Sequence, residues 1–134
     1  MRKLVVLTLF VAAATVLAAC GGDHGSMGSM TGSGGDEKNT PVVPGAREIA
    51  VTGEAYRFTP EPIRIGAGED ITVVLTANDL PHDFTVKGVG HIAHANRGKT
   101  TRGGLSMAKP GTYTFYCSVR GHRAEGMTGK IIVS

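Results

Sequence analysis

Apolar and polar positions divide this chain into three textures. Leu4 to Ala19 is almost wholly apolar and follows a basic Met1-Arg2-Lys3. Residues 21 to about 45 carry no apolar period; Gly, Ser, Asp and Asn dominate, and such a stretch cannot bury enough surface to fold. From about residue 46 the chain alternates with period two. Ile49 and Val51 have polar neighbours, and Phe58, Ile63 and Ile65 follow around Pro60 and Pro62. Gly66-Ala67-Gly68 marks a turn, and Ile71, Val73 and Leu75 alternate with Thr72, Val74 and Thr76. His82, Phe84 and Val86 share one parity, Gly111 opens the run from Thr112 to Cys117, and Gly129 opens the run from Lys130 to Val133. Short period-2 runs separated by turn residues predict an all-β sandwich, and no segment carries a helical stripe. The alternation also aims side chains: Tyr113, Phe115 and Cys117 share one face, Tyr116 takes the other, and His82 leads the inward face of its own strand. Both His82 and Cys117 therefore fall at strand tips.

The first texture is a leader. A basic start, a short apolar run and small residues before Cys20 read as a secretory signal, too short for a comfortable membrane span. Leu17-Ala18-Ala19-Cys20-Gly21 resembles the lipobox of bacterial lipoproteins, which implies lipidation at Cys20 and an extracytoplasmic, membrane-anchored protein on the periplasmic or outer cell-surface side. The expected organisation is a signal peptide over 1–19, a lipidated cysteine and flexible linker over 20–45, and one folded domain over 46–134. A flexible linker of about 25 residues spans roughly 25–30 Å. With Cys20 lipidated, Cys117 is the one remaining thiol, a liability in an oxidising compartment unless something occupies it. Charge adds little. Removing Arg2 and Lys3 from the 14 basic residues leaves 12 against 11 acidic ones, a net charge of +1. No basic run with interleaved aromatics is present, so no nucleic-acid partner is expected.

Candidate chemistry concentrates in Cys117-Ser118-Val119-Arg120-Gly121-His122-Arg123-Ala124-Glu125-Gly126-Met127. The spacing Cys-x4-His-x4-Met offers a thiolate, an imidazole and a thioether on one loop, at low closure entropy. His82, in Leu80-Pro81-His82-Asp83-Phe84, supplies a second imidazole from another strand. Two imidazoles, one thiolate and one weak thioether form the ligand set of a mononuclear blue-copper electron-transfer site. The surrounding residues resemble those of cupredoxins, the family of plastocyanin, azurin and rusticyanin. The likeness runs through Phe58-Thr59-Pro60, Gly68-Glu69, Asn78, Pro81 to Phe84, Pro110 to Tyr113, Phe115 to Cys117, Gly121-His122 and Gly126 to Gly129; only residues from about 88 to 106 lack landmarks.

The resemblance implies a Greek-key β-sandwich of about seven or eight strands holding one copper that cycles between Cu(II) and Cu(I). It implies His82, Cys117 and His122 as equatorial ligands and Met127 as the axial one. It further implies an electron carrier whose redox partner proteins dock transiently near His122, over an apolar patch for which Leu80, Pro81, Ala124 and Met127 are candidates. The resemblance also implies a candidate second electron path through Cys117 and an outward-facing Tyr116. One departure stands out: Asp83 occupies a position where many family members carry Asn, and an ionised carboxylate accepts hydrogen bonds without donating them. Replacing it by Asn is expected to raise the reduction potential.

Competing chemistry is weaker. His24, Met27 and Met30 recur every third residue in the linker, a candidate Cu(I)-catching strip or a coincidence of low complexity. That strip favours the alternative of an extracytoplasmic copper chaperone or storage lipoprotein. His91 and His94 form a His-x2-His pair without a third ligand nearby and read as part of a polar surface loop. An enzyme is not expected, because a four-ligand copper leaves no open position for substrate. A dinuclear centre would need a second cysteine in the loop, where Val119, Arg120 and Gly121 supply none. A monomer is expected.

Overall fold

The computed structural model describes residues 38–134. The leader, Cys20 and the His24/Met27/Met30 strip lie outside the described residues. The described chain forms nine strands and no helix: β1 (Arg47–Glu54), β2 (Arg57–Thr59), β3 (Ile63–Ile65), β4 (Asp70–Ala77), β5 (His82–Val86), β6 (Gly90–Ala95), β7 (Lys99–Ser106), β8 (Gly111–Tyr116) and β9 (Thr128–Val133). They make a four-stranded sheet in the order β2-β1-β4-β7 and a five-stranded sheet in the order β3-β9-β8-β5-β6. Both sheets are mixed, since β1 pairs parallel with β4 and β3 pairs parallel with β9. This is the all-β sandwich that the alternation predicts. The count exceeds seven or eight because the stretch without landmarks folds into β6 and β7.

The core follows strand parity. Val51, Ile71, Val73, Leu75 and Leu105 from the first sheet face Ile63, Ile65, Phe84, Val86, Ile92, Phe115 and Ile131 from the second, all buried. Phe58, Phe84 and Phe115 form one aromatic cluster, with Phe84 and Phe115 stacked at 4.4 Å and Phe58 at 5.0 Å from Phe115. The cluster underlies the end of β8 that leads to Cys117.

Asn39 and Thr40, linker by composition, are hydrogen-bonded to the sandwich. The Thr40 amide donates to the Ile92 carbonyl at 2.9 Å, and its carbonyl accepts from the Gly104 amide at 3.1 Å. Asn39 accepts from the His94 amide at 2.8 Å through Oδ1 and donates to the Thr101 hydroxyl. Since β6 and β7 are edges of different sheets, this strap covers two open edges at once. Gly103 and Gly104 permit the close approach: a Cβ on either would lie 2.1 Å from a carbonyl oxygen, of Ile92 or of Pro41.

Candidate metal centre

His82 opens β5, Cys117 follows the last residue of β8, and Met127 immediately precedes β9. Thr85 pairs with Tyr116 and Val86 with Phe115, so the start of β5 lies beside the end of β8 and both strand tips meet at one end of the sandwich. His122 comes from the loop between β8 and β9. That loop is sealed at its base, where the Cys117 amide donates to the Met127 carbonyl and the Met127 amide to the His122 carbonyl, both at 3.1 Å. Gly121 and Gly126 sit at φ of 88° and 94°, in the left-handed region that glycine enters without steric cost.

The three side chains converge. Sγ of Cys117 lies 3.4 Å from Nδ1 of His122 and 4.0 Å from Nδ1 of His82, and the three ligand atoms all fall within 4.8 Å of one another. Cys117, His82 and Met127 have no exposed surface, and His122 is 8% exposed. Burial pushes the Cys117 thiol up, and the nearby Asp83 carboxylate acts in the same direction, while amide donors from Asp83 and Val119 pull the other way. Burial holds His122 below its ordinary value, reinforced by His82. A thiolate here is therefore costly unless a cation accompanies it, and His122 stands ready as a neutral ligand.

The surroundings hold these groups still. The Asp83 amide donates to Sγ of Cys117 at 3.3 Å. The Asp83 carboxylate accepts from the Ser118 hydroxyl at 2.7 Å through Oδ2, and its Oδ1 lies 2.5 Å from Nδ1 of His94. Asp79 accepts from Nε2 of His82 at 2.8 Å, and the Tyr56 ring meets the His122 ring edge-on at 5.1 Å. Gly53, on β1 of the other sheet, leaves the space that His82 fills: a Cβ there would lie 2.7 Å from Cδ2 and 2.9 Å from Cγ of the imidazole.

Several sequence expectations change. His91 and His94 belong to strand β6 rather than to a surface loop, because Ile92, Ala93 and Ala95 alongside them are core. His94 braces Asp83, and neither histidine is in the one metal-competent cluster found among the described residues. Met127 is wholly buried and offers nothing to a surface patch, whereas Leu80 and Pro81 are half-buried and Ala124 is exposed. Tyr116 is half-buried under the Arg123 guanidinium, which stands 4.3 Å from its ring centroid. Asp79, Gly53 and Tyr56 do not stand out in the sequence as site residues; the signal for Asp79 is an Asp three residues before a ligand-type histidine, in Asn78-Asp79-Leu80-Pro81-His82.

Donors this far apart can all reach one ion at bond lengths of about 2.0–2.3 Å. Two imidazoles and a thiolate, beside a loop whose base also carries the buried Met127, are softer than a hard cation selects, and the set fits a single copper. Fold and site together define a β-sandwich with a mononuclear soft-metal centre at one end. The cupredoxin-like domain family matches residues 9–133, and the chain belongs to that family. Among solved structures, auracyanin B is similar at 17% identity and a TM-score of 0.61, over 72% of this chain and 94% of that one. Auracyanin A, a "blue" copper protein of Chloroflexus aurantiacus, is similar at 22% identity and a TM-score of 0.58, over 67% and 100%. The periplasmic domain of cytochrome oxidase subunit II of Bradyrhizobium japonicum is similar at 21% identity and a TM-score of 0.59, over 69% and 88%.

Proposed function

We propose that this protein is a type 1 copper electron carrier, with His82, Cys117 and His122 as principal ligands and Met127 as the weak fourth donor. The observation that carries the reading is the approach of both imidazole Nδ1 atoms to one buried thiol, at 3.4 and 4.0 Å. Bound copper supplies a one-electron couple. The chain supplies rigidity: ligands come from two strand ends and a loop sealed by main-chain hydrogen bonds, so little need move when the charge changes. All four donors come from the chain itself, which leaves no position for substrate and argues against an enzyme.

His122 is the most exposed of the proposed ligands and packs against the Tyr56 ring, so redox partners dock on its side of the molecule, with Leu80, Pro81 and Ala124 as further candidate apolar contacts. The extracytoplasmic, lipid-tethered setting rests on the leader and on the lipobox-like residues ending at Cys20. Auracyanin A is described as a blue copper protein and the oxidase domain as periplasmic, in keeping with copper chemistry outside the cytoplasm.

The test is visible absorption and EPR of the full-length protein after addition of Cu(II). A strong thiolate-to-copper band is expected in the wild type and lost in Cys117→Ser. A folded wild type without that band would sink the reading. Stopped-flow electron exchange then separates a carrier, which keeps its copper through redox cycles, from a chaperone, which gives it to an apo acceptor.

A further inference from the structure

Asp79 stands outside the ligand set, yet its carboxylate reaches toward both histidines. Oδ1 accepts from Nε2 of His82 at 2.8 Å and from the Leu80 amide at 2.8 Å, while Oδ2 accepts from the Ala55 amide at 2.8 Å. A carboxylate can only accept, so Nε2 of His82 carries a proton, and in the neutral imidazole Nδ1 then presents its lone pair. Nδ1 is the atom that faces Sγ of Cys117. Three N–H groups converge on the Asp79 carboxyl, an arrangement that suits the ionised, acceptor-only form.

The other oxygen acts on the second histidine. Ala55 and Tyr56 sit at φ of 48° and 59°, left-handed values that side chains with a Cβ rarely adopt and that a two-residue hairpin turn requires. Asn-Gly would enter that turn easily; this chain keeps Ala-Tyr and ties Ala55 to Asp79. The turn lays the Tyr56 ring edge-on against His122.

We propose that Asp79 is the positioning residue of the metal centre: it sets the tautomer and electron density of His82 directly, and it pins the turn that places Tyr56 against His122. The inference deepens the copper reading and, for its effect on potential, rests on it. A carboxylate bonded to the far nitrogen makes an imidazole a stronger donor, which favours the more highly charged Cu(II) over Cu(I).

Two measurements test it. The first is voltammetry of the copper-loaded full-length protein. Asp79→Asn removes the charge while keeping one acceptor oxygen. It is expected to lower the preference for Cu(II) over Cu(I) about tenfold, a size typical of a lost ligand partner, which raises the potential by about 59 mV for a one-electron couple. Glu69→Gln, which removes a carboxylate at the far end of β4, is expected to leave the potential unchanged. A lower melting temperature for Asp79→Asn with the wild-type potential would give Asp79 a structural role only and overturn the proposal. The second is the His82 tautomer in metal-free wild-type protein, read by long-range 1H–15N NMR. Protonated Nε2 with bare Nδ1 is expected, and the reverse tautomer overturns the proposal even where the variant does not fold. Because this readout needs no metal, a failure of the copper reading is seen separately, as absence of the blue band.

Discussion

Cys117 shows how single residues carry the chemistry. Its thiol is wholly buried and burial pushes its pKa up, so an anion at that position depends on a neighbouring positive charge and on the Asp83 amide at 3.3 Å. The same Asp83 supplies a carboxylate whose oxygens are engaged by the Ser118 hydroxyl and by His94. Asp83→Asn removes a negative charge beside the sulfur, so the reduction potential of the copper-loaded protein is expected to rise; a voltammetric titration showing no change or a fall counts against this. The cluster of His82, Cys117 and His122 is legible because Cys, His and Met at such spacing are rare together. Asp79 and Asp83 are less so, because what a carboxylate does depends on which donors the fold brings to it. Asp83 stands out only against a family pattern. Its partner His94 looks like loop in the sequence because no motif announces a contact between neighbouring strands.

At the scale of elements, alternation succeeded where strands bury one face with large side chains. Ile71, Val73 and Leu75 on β4, and His82, Phe84 and Val86 on β5, all point inward as their parity required. It failed on β6 and β7. The eight residues of β7 bury one large side chain, Leu105, and two glycines take the place of others. In β6 the adjacent Ile92 and Ala93 are both buried, and the register with β5 shifts between Phe84 and Thr85, which hides a period of two. These glycines are steric necessities. A methyl group on Gly103 would lie 2.1 Å from the Ile92 carbonyl oxygen, a backbone atom that cannot rotate away. Gly103→Ala is expected to destabilise the protein by about 3 kcal/mol, the upper end of overpacking costs, and urea denaturation checks it. A loss under about 0.5 kcal/mol, the size of an ordinary surface substitution, would show that the sheets can separate locally at little cost.

Across the whole molecule, the two sheets are joined at opposite ends by different means. Near the metal, joining is through packing of His82 against β1 and through the Tyr56 turn. At the far end of β4, Arg47 donates from Nε and Nη2 to the Glu69 carboxylate at 2.7 and 3.0 Å, and Nη2 also reaches the Arg64 carbonyl on β3. The Arg47 guanidinium, followed by the Gly66 amide, holds the Glu69 carboxyl at about 2, below its ordinary 4.5. A depressed carboxyl stabilises the fold above its unfolded value, and that contribution disappears as pH falls through the folded one. The melting temperature is therefore expected to drop between about pH 4.5 and 2, with a shallower drop in Glu69→Gln. Parallel curves for the two proteins would show that exposure and solvent screening leave the pair without effect. Arginine, glutamate and the Gly66-Ala67-Gly68 turn were all visible in the sequence, but their meeting is a consequence of topology.

Gly53 has a long-range consequence as well as a local one. The absent side chain on β1 is the space the His82 ring occupies, so the two positions are bound together although 29 residues separate them in the chain. In this chain an imidazole at position 82 in its present place requires position 53 to stay bare. A larger residue at position 53 is thus expected to displace the imidazole at position 82 before any of the other proposed ligands is touched.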